Sequence, residues 1–216
     1  MCGIVGFYSK NVTNSDLEIL RKVMSETVIR GKHASGISWW KPDQTIQVIK
    51  HAIPITELLK KIDLADYVYD GKISIISHAR YSTSDIKYNQ PLSSEHMAIA
   101  HNGVISQQPP NTWANTYGYE CTTKNDSELL LRCLECGDNP LEIFPDASIA
   151  AVILHSNGTL ECIRNSRRPL WCGRIGDGTV YASTFDILNR AGVQDIQKVD
   201  SETPEDLQRR CTKCQE

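Results

Sequence analysis

Short strand-like segments recur along the whole chain, and this distribution constrains the fold more than any other feature. Residues 2–9, 36–41, 45–50, 72–78, 97–101, 147–154, 160–164 and 180–183 are apolar or alternating runs, set apart by polar turns such as Pro42-Asp43-Gln44 and Ser156-Asn157-Gly158. Helical spacing is rarer. Ser15-Asp16-Leu17-Glu18 has the form of a capping box, and Leu17, Leu20, Met24 and Val28 follow at helical intervals as far as Gly31. Residues 55 to about 70 have a weaker helical pattern. Asp126 is placed as the N-cap of a helix running to Cys136 with Gly137 as its stop, and 203–210 reads as a short terminal helix. Many strands with few helices imply an α+β protein built in layers.

The 216 residues show no repeat or long linker and read as one domain over 2–200 with a short tail over 201–216. A net charge of −3 gives no electrostatic reason to expect a nucleic acid as direct partner. No run is long enough for a membrane span, and the start lacks the basic and apolar regions of a signal peptide. Eight cysteines without such a signal suggest reduced thiols and a cytoplasmic location.

Cys2 follows the initiator in Met1-Cys2-Gly3-Ile4-Val5-Gly6-Phe7. Read alone it is a small buried residue opening a strand. Once Met1 is removed, however, its thiol and a free α-amine share one residue, and an amine of ordinary pKa near ~7.7–8.0 can take the thiol's proton. Four further segments carry candidate chemistry: Arg30-Gly31-Lys32-His33-Ala34-Ser35-Gly36, His78-Ala79-Arg80-Tyr81-Ser82-Thr83, His101-Asn102-Gly103 and Asn125-Asp126-Ser127-Glu128. Asn102-Gly103 also reads as a hairpin turn. Asn102 and Gly103 can supply an amide NH₂ and a backbone N–H to one oxyanion. Arg80 has the planar fork that suits a carboxylate.

In this order, behind a Cys-Gly-Ile start, the segments resemble those of the class II glutamine amidotransferases. These are N-terminal-nucleophile enzymes that release ammonia from glutamine. The resemblance spans roughly residues 2–190, with Arg164–Leu170 and Tyr181–Thr184 resembling the family's closing strands. It implies a layered αββα sandwich. It also implies a catalytic set of Cys2, Asn102, Gly103 and Arg30, a glutamine site of Arg80, Tyr81, Thr83 and Asp126, and no cofactor. His78 and His101 are then structural neighbours of the site. Such glutaminases feed a synthase that consumes the ammonia, and this chain shows no sequence signature of one, so a separate acceptor subunit is the expected partner. A γ-glutamyl amide hydrolase acting alone and a non-catalytic glutamine sensor are the other readings. The chain departs from the family's usual pattern at His33, where many members carry aspartate, and at Ser84-Asp85.

Two Cys-x-x-Cys pairs remain, Cys133/Cys136 and Cys211/Cys214. Core or surface positions are expected for them, and no metal. A four-thiolate zinc site is the alternative reading.

Overall fold

The structure, a computed structural model, describes residues 2–81 and 88–202. Thr83, Ser84-Asp85, the terminal helix expected over 203–210, and Cys211 and Cys214 lie outside them. The elements run β1 (Gly3–Ser9), α1 (Asn14–Glu26), β2 (Ala34–Trp40), β3 (Ile46–His51), α2 (Ile55–Leu58), β4 (Ile73–Arg80), β5 (Leu92–Ser93), β6 (Met97–Val104), α3 (Trp113–Tyr117), α4 (Ser127–Glu135), α5 (Pro140–Ile143), β7 (Ser148–His155), β8 (Leu160–Arg164), β9 (Trp171–Ile175), β10 (Gly178–Ala182), α6 (Phe185–Ala191) and β11 (Gln194–Lys198).

They form two antiparallel sheets. The larger has the order β11-β9-β10-β1-β4-β2-β3 and the smaller β5-β6-β7-β8. The period-2 alternation of each strand assigns its residues to two cores. On β1, Val5 and Phe7 join the core beneath α1 and α6, whereas Ile4 faces the second sheet. On β7, Ala150, Val152 and Leu154 face the larger sheet, and Ile149, Ala151 and Ile153 face α4. The residues between the sheets include Ala98, Ala100 and Ala150 beside larger Ile4, Ile76 and Leu154. At Gly6 even a methyl group would meet the Val152 side chain. The layers are therefore helices, sheet, sheet, helices, as the αββα expectation has it.

Three details differ from the sequence reading. The capping box lies two residues earlier than Ser15: the Thr13 hydroxyl accepts from Asp16 N, and Asp16 Oδ2 accepts from Thr13 N at 2.9 Å. Ser15 lies inside the helix, which begins at Asn14. The stretch 55–70 is not one helix. Asp63 Oδ1 accepts from Ala65 N at 3.1 Å and starts a separate 3₁₀ turn over Leu64–Tyr67. Asn102-Gly103 is no hairpin turn; both residues pair inside β6, opposite Ala150 and Ile149.

Candidate active site

Strand register brings the candidate residues together. β1 lies between β10 and β4, with Gly3 opposite Ala79 and Ile4 opposite His78. Cys2 therefore leaves the sheet at the end where β4 delivers Arg80. On β4 the residues that face inward with Ile76 are His78 and Arg80, two and four positions on. On β6 the inward series Ala98 and Ala100 continues to Asn102. Both sheets thus present functional groups at the same end of the sandwich. There a cavity of about 540 Å³ is lined by Cys2, Arg30, Arg80, Tyr81, Asn102, Gly103 and Asp126 together. Every candidate site residue among the described residues faces it.

Cys2 is held by its backbone. Its carbonyl oxygen accepts from Arg30 Nε at 2.7 Å and from Asn102 Nδ2 at 3.0 Å. Asn102 Nδ2 also donates to Ser183 Oγ at 2.9 Å, and that hydroxyl accepts from Ile4 N at 2.8 Å. The thiol points elsewhere, with Tyr81 O its polar neighbour at 3.9 Å. No histidine contacts it among the described residues. Burial holds the Arg30 guanidinium below its usual range; Cys2 works against this, and nearby Arg168 adds to it.

Glycine is required at two positions. A side chain at Gly31 would run into the carbonyl of Ala79, so Gly31 lets the Arg30 turn lie directly on β4. Gly103 has φ +152 and lies against the Ser148 carbonyl, a placement that leaves no room for Cβ.

Asp126 does not cap α4 with its side chain. Its Oδ2 accepts from Ile105 N at 2.6 Å and Ser106 N at 3.3 Å, which aims the carboxylate at the segment following β6. Asn125 does the local work instead, with Oδ1 accepting from Ser127 N at 3.0 Å. Glu128 closes the preceding loop through Thr122 N and Thr123 N, at 2.8 and 2.6 Å. Within that four-residue segment only Asp126 turns its charge toward the cavity's contents.

His78 and His101 are both buried. Burial pushes the His78 imidazole down to about 3, with Arg80 and His101 adding to the effect. The His101 ring lies between Ser127 Oγ at 2.8 Å and Ser148 O at 3.2 Å. Burial lowers its pKa too, and Asp126 opposes the shift. Both rings are neutral packing and positioning groups.

Three residues of the site had no role in the sequence reading. Gln90 ties its loop to β6, accepting from His101 N at 2.7 Å and donating to His101 O at 3.1 Å. Ser183 bridges β1 and Asn102. Arg168 lines the cavity and donates from Nε to Ser148 Oγ at 3.2 Å. Their places depend on the assembled sandwich, so spacing along the chain could not single them out. Cys133 is buried in the core under α4, its thiol pushed up to about 12 by burial, whereas Cys136 is exposed. No cluster of metal-ligating side chains occurs among the described residues.

No protein-family model matches the chain, and no curated protein sequence does. Solved structures do. Glutamine phosphoribosylpyrophosphate amidotransferase from B. subtilis, complexed with ADP and GMP, superposes with a TM-score of 0.70 at 22% identity, covering 92% of this chain and 45% of that one. An allosteric regulatory enzyme of purine biosynthesis matches at 0.68 and 20%, with the same coverage of both chains. A glutamine aminotransferase class-II domain protein from Silicibacter pomeroyi matches at 0.56 and 12%, over 92% of this chain and 91% of that one. The chain spans under half the length of the first two. What it shares with these class II glutamine amidotransferases is their fold, the layered sandwich of their glutaminase part.

Proposed function

We propose that the chain hydrolyses the side-chain amide of glutamine, with Cys2 as nucleophile. One observation carries this reading: Cys2, Arg80 and Asp126 line one cavity together with Asn102 and Gly103. A free amino acid needs a carboxylate grip and an ammonium grip, and its amide then needs a nucleophile and an oxyanion site.

With Met1 removed, the Cys2 α-amine takes the thiol proton, and the thiolate attacks the γ-carbonyl carbon. Asn102 and Gly103 donate to the oxygen that becomes negative, Asn102 exchanging one of its present acceptors for it. The tetrahedral adduct collapses and expels ammonia, which leaves with the proton held by the amine. Water then cleaves the thioester to give glutamate and the free thiol. Arg30 and Asn102, both bonded to the Cys2 carbonyl, fix the nucleophile's backbone while its side chain reacts. Arg80 and Asp126 hold the amino-acid end of glutamine, with Tyr81 beside them; Thr83, outside the described residues, is the remaining candidate for that grip. The ammonia passes to an acceptor on a separate synthase subunit, because ammonia free in water is protonated and diluted.

A diazo-ketone analogue of glutamine tests this reading. Mass spectrometry should find it bound to Cys2 of protein lacking Met1, with glutaminase activity lost in step. Protein that retains Met1, stays unlabelled and releases no ammonia would overturn it, and would favour a glutamine sensor.

A further inference from the structure

The chain carries a net charge of −3, yet its main cavity is cationic. Arg30, Arg80, Arg168 and Lys124 line it, and Asp126 is the one carboxylate among its described lining residues. Arg80 and Asp126 are assigned to the two ends of an amino acid, and Arg30 is bonded to the Cys2 carbonyl. Arg168 and Lys124 are left over; Lys124 is exposed, whereas Arg168 is half-buried.

Arg168 is fixed from one side only. Its Nε donates to Ser148 Oγ, which also accepts from Val104 N at 3.0 Å. The carbonyl of the same Ser148 contacts the His101 ring and lies against Gly103. One serine thus ties the Arg168 stem to the oxyanion end of β6. Among the described residues no carboxylate lies within ion-pair distance of Arg168, and its two terminal nitrogens show no hydrogen bond. Its near charge is of like sign: Arg168 adds to the lowering of the pKa values of both Arg30 and His101. A half-buried guanidinium with two unused N–H faces and a cationic neighbour favours an anion between them.

We propose that Arg168 is an anion-selecting residue of this cavity, favouring negatively charged over neutral occupants at the Cys2–Gly103 end. Resting on the glutaminase reading, the anion is the γ-carboxylate of glutamate and, before it, the oxyanion that precedes thioester formation. Amide and carboxylate are nearly isosteric, so charge is what distinguishes product from substrate at this end. Arg168 thereby strengthens the transition state and also slows product release.

The test compares two alkylating agents of similar size, anionic iodoacetate and neutral iodoacetamide. In each, the Cys2 thiolate displaces iodide. Rates are read by peptide mass spectrometry on protein lacking Met1, and exposed Cys136 serves as internal reference. The ratio of iodoacetate to iodoacetamide rates at Cys2 should fall about 3- to 10-fold in Arg168→Gln, remain near the wild-type ratio in Arg168→Lys, and stay unchanged at Cys136. Loss of side-chain packing alone would slow both reagents together and leave the ratio intact. A ratio unchanged in Arg168→Gln while Cys2 still reacts with iodoacetamide overturns the proposal. Arg168→Met replaces the glutamine variant if that one does not fold, with the same two outcomes. The readout needs no glutamine turnover. A wild-type protein that releases no ammonia therefore refutes the glutaminase reading, and an unmoved ratio refutes the role of Arg168.

Discussion

Asn102 donates to the carbonyl oxygen of Cys2 at 3.0 Å, joining the inner strand of the small sheet to the first residue of the large one across 100 positions of chain. If Asn102 also donates to the oxyanion, as proposed above, one amide serves both the architecture and the reaction. Replacing Asn102 by alanine removes a donor from Cys2 O and from Ser183 Oγ. Stability should fall by about 1–3 kcal/mol, because two hydrogen bonds are lost, although each acceptor keeps its second donor. Glutaminase kcat should fall by about 10²–10³. Thermal unfolding and steady-state ammonia release measure the two separately, and a variant with full kcat removes Asn102 from the chemistry.

Cys2→Ala should abolish ammonia release and leave the fold intact. The thiol's polar neighbour is a single carbonyl at 3.9 Å, so its loss costs little stability. Circular dichroism and melting temperature near wild type, with no detectable turnover, are the expected pair of results.

Asp126→Asn should keep the local structure, since the amide oxygen still accepts from Ile105 N and Ser106 N. It loses the charge that faces an ammonium group. The expected effect is a KM for glutamine raised about 10- to 100-fold with a smaller change in kcat, matching the worth of a charge-assisted hydrogen bond. Arg80→Lys should raise KM in the same way through loss of the planar fork. An unchanged KM in both variants would move the amino-acid grip elsewhere.

Acid should destabilise the protein through His78. Burial lowers its folded pKa to about 3, whereas the unfolded chain holds an ordinary histidine near ~6.5. Between these values the unfolded state binds the extra proton, so stability falls as pH falls through that window and is fully present above it. The slope is at most about 1.4 kcal/mol per pH unit for one group, and His101 contributes with the same sign. Urea midpoints measured from pH 7 to pH 4 should fall, and His78→Gln should flatten the curve by roughly one proton's worth.

Much of this was legible in the chain. β1 and β7 stand out as nearly unbroken apolar runs, as strands buried on both faces are, and β4 by its alternation, with Cys2 and Arg80 at the ends of β1 and β4. The edge strand β11 was not legible. Its residues Gln194–Lys198 are mostly exposed and polar, and it exists because β9 offers it a partner. Helix α6, with seven residues, is too short to show a period of its own. Asp126 was read as a cap because its spacing allows one, but two backbone N–H groups beyond β6, 21 and 20 positions upstream, hold its carboxylate instead. Arg168 and Ser183 acquire meaning only when both sheets are in place. In each case a distant partner decides between two locally acceptable arrangements.

The position of β1 between β4 and β10 has a temporal consequence. One partner strand is encoded within the first 80 residues, the other only at 178–182. On a ribosome adding about 5–20 residues per second, roughly 5–20 s separate the two. During that interval β1 has one partner strand and one open side. The register that sets Cys2 beside the end of β4 is thus encoded first, and β10 closes the other side of β1 only after about a hundred further residues have been added.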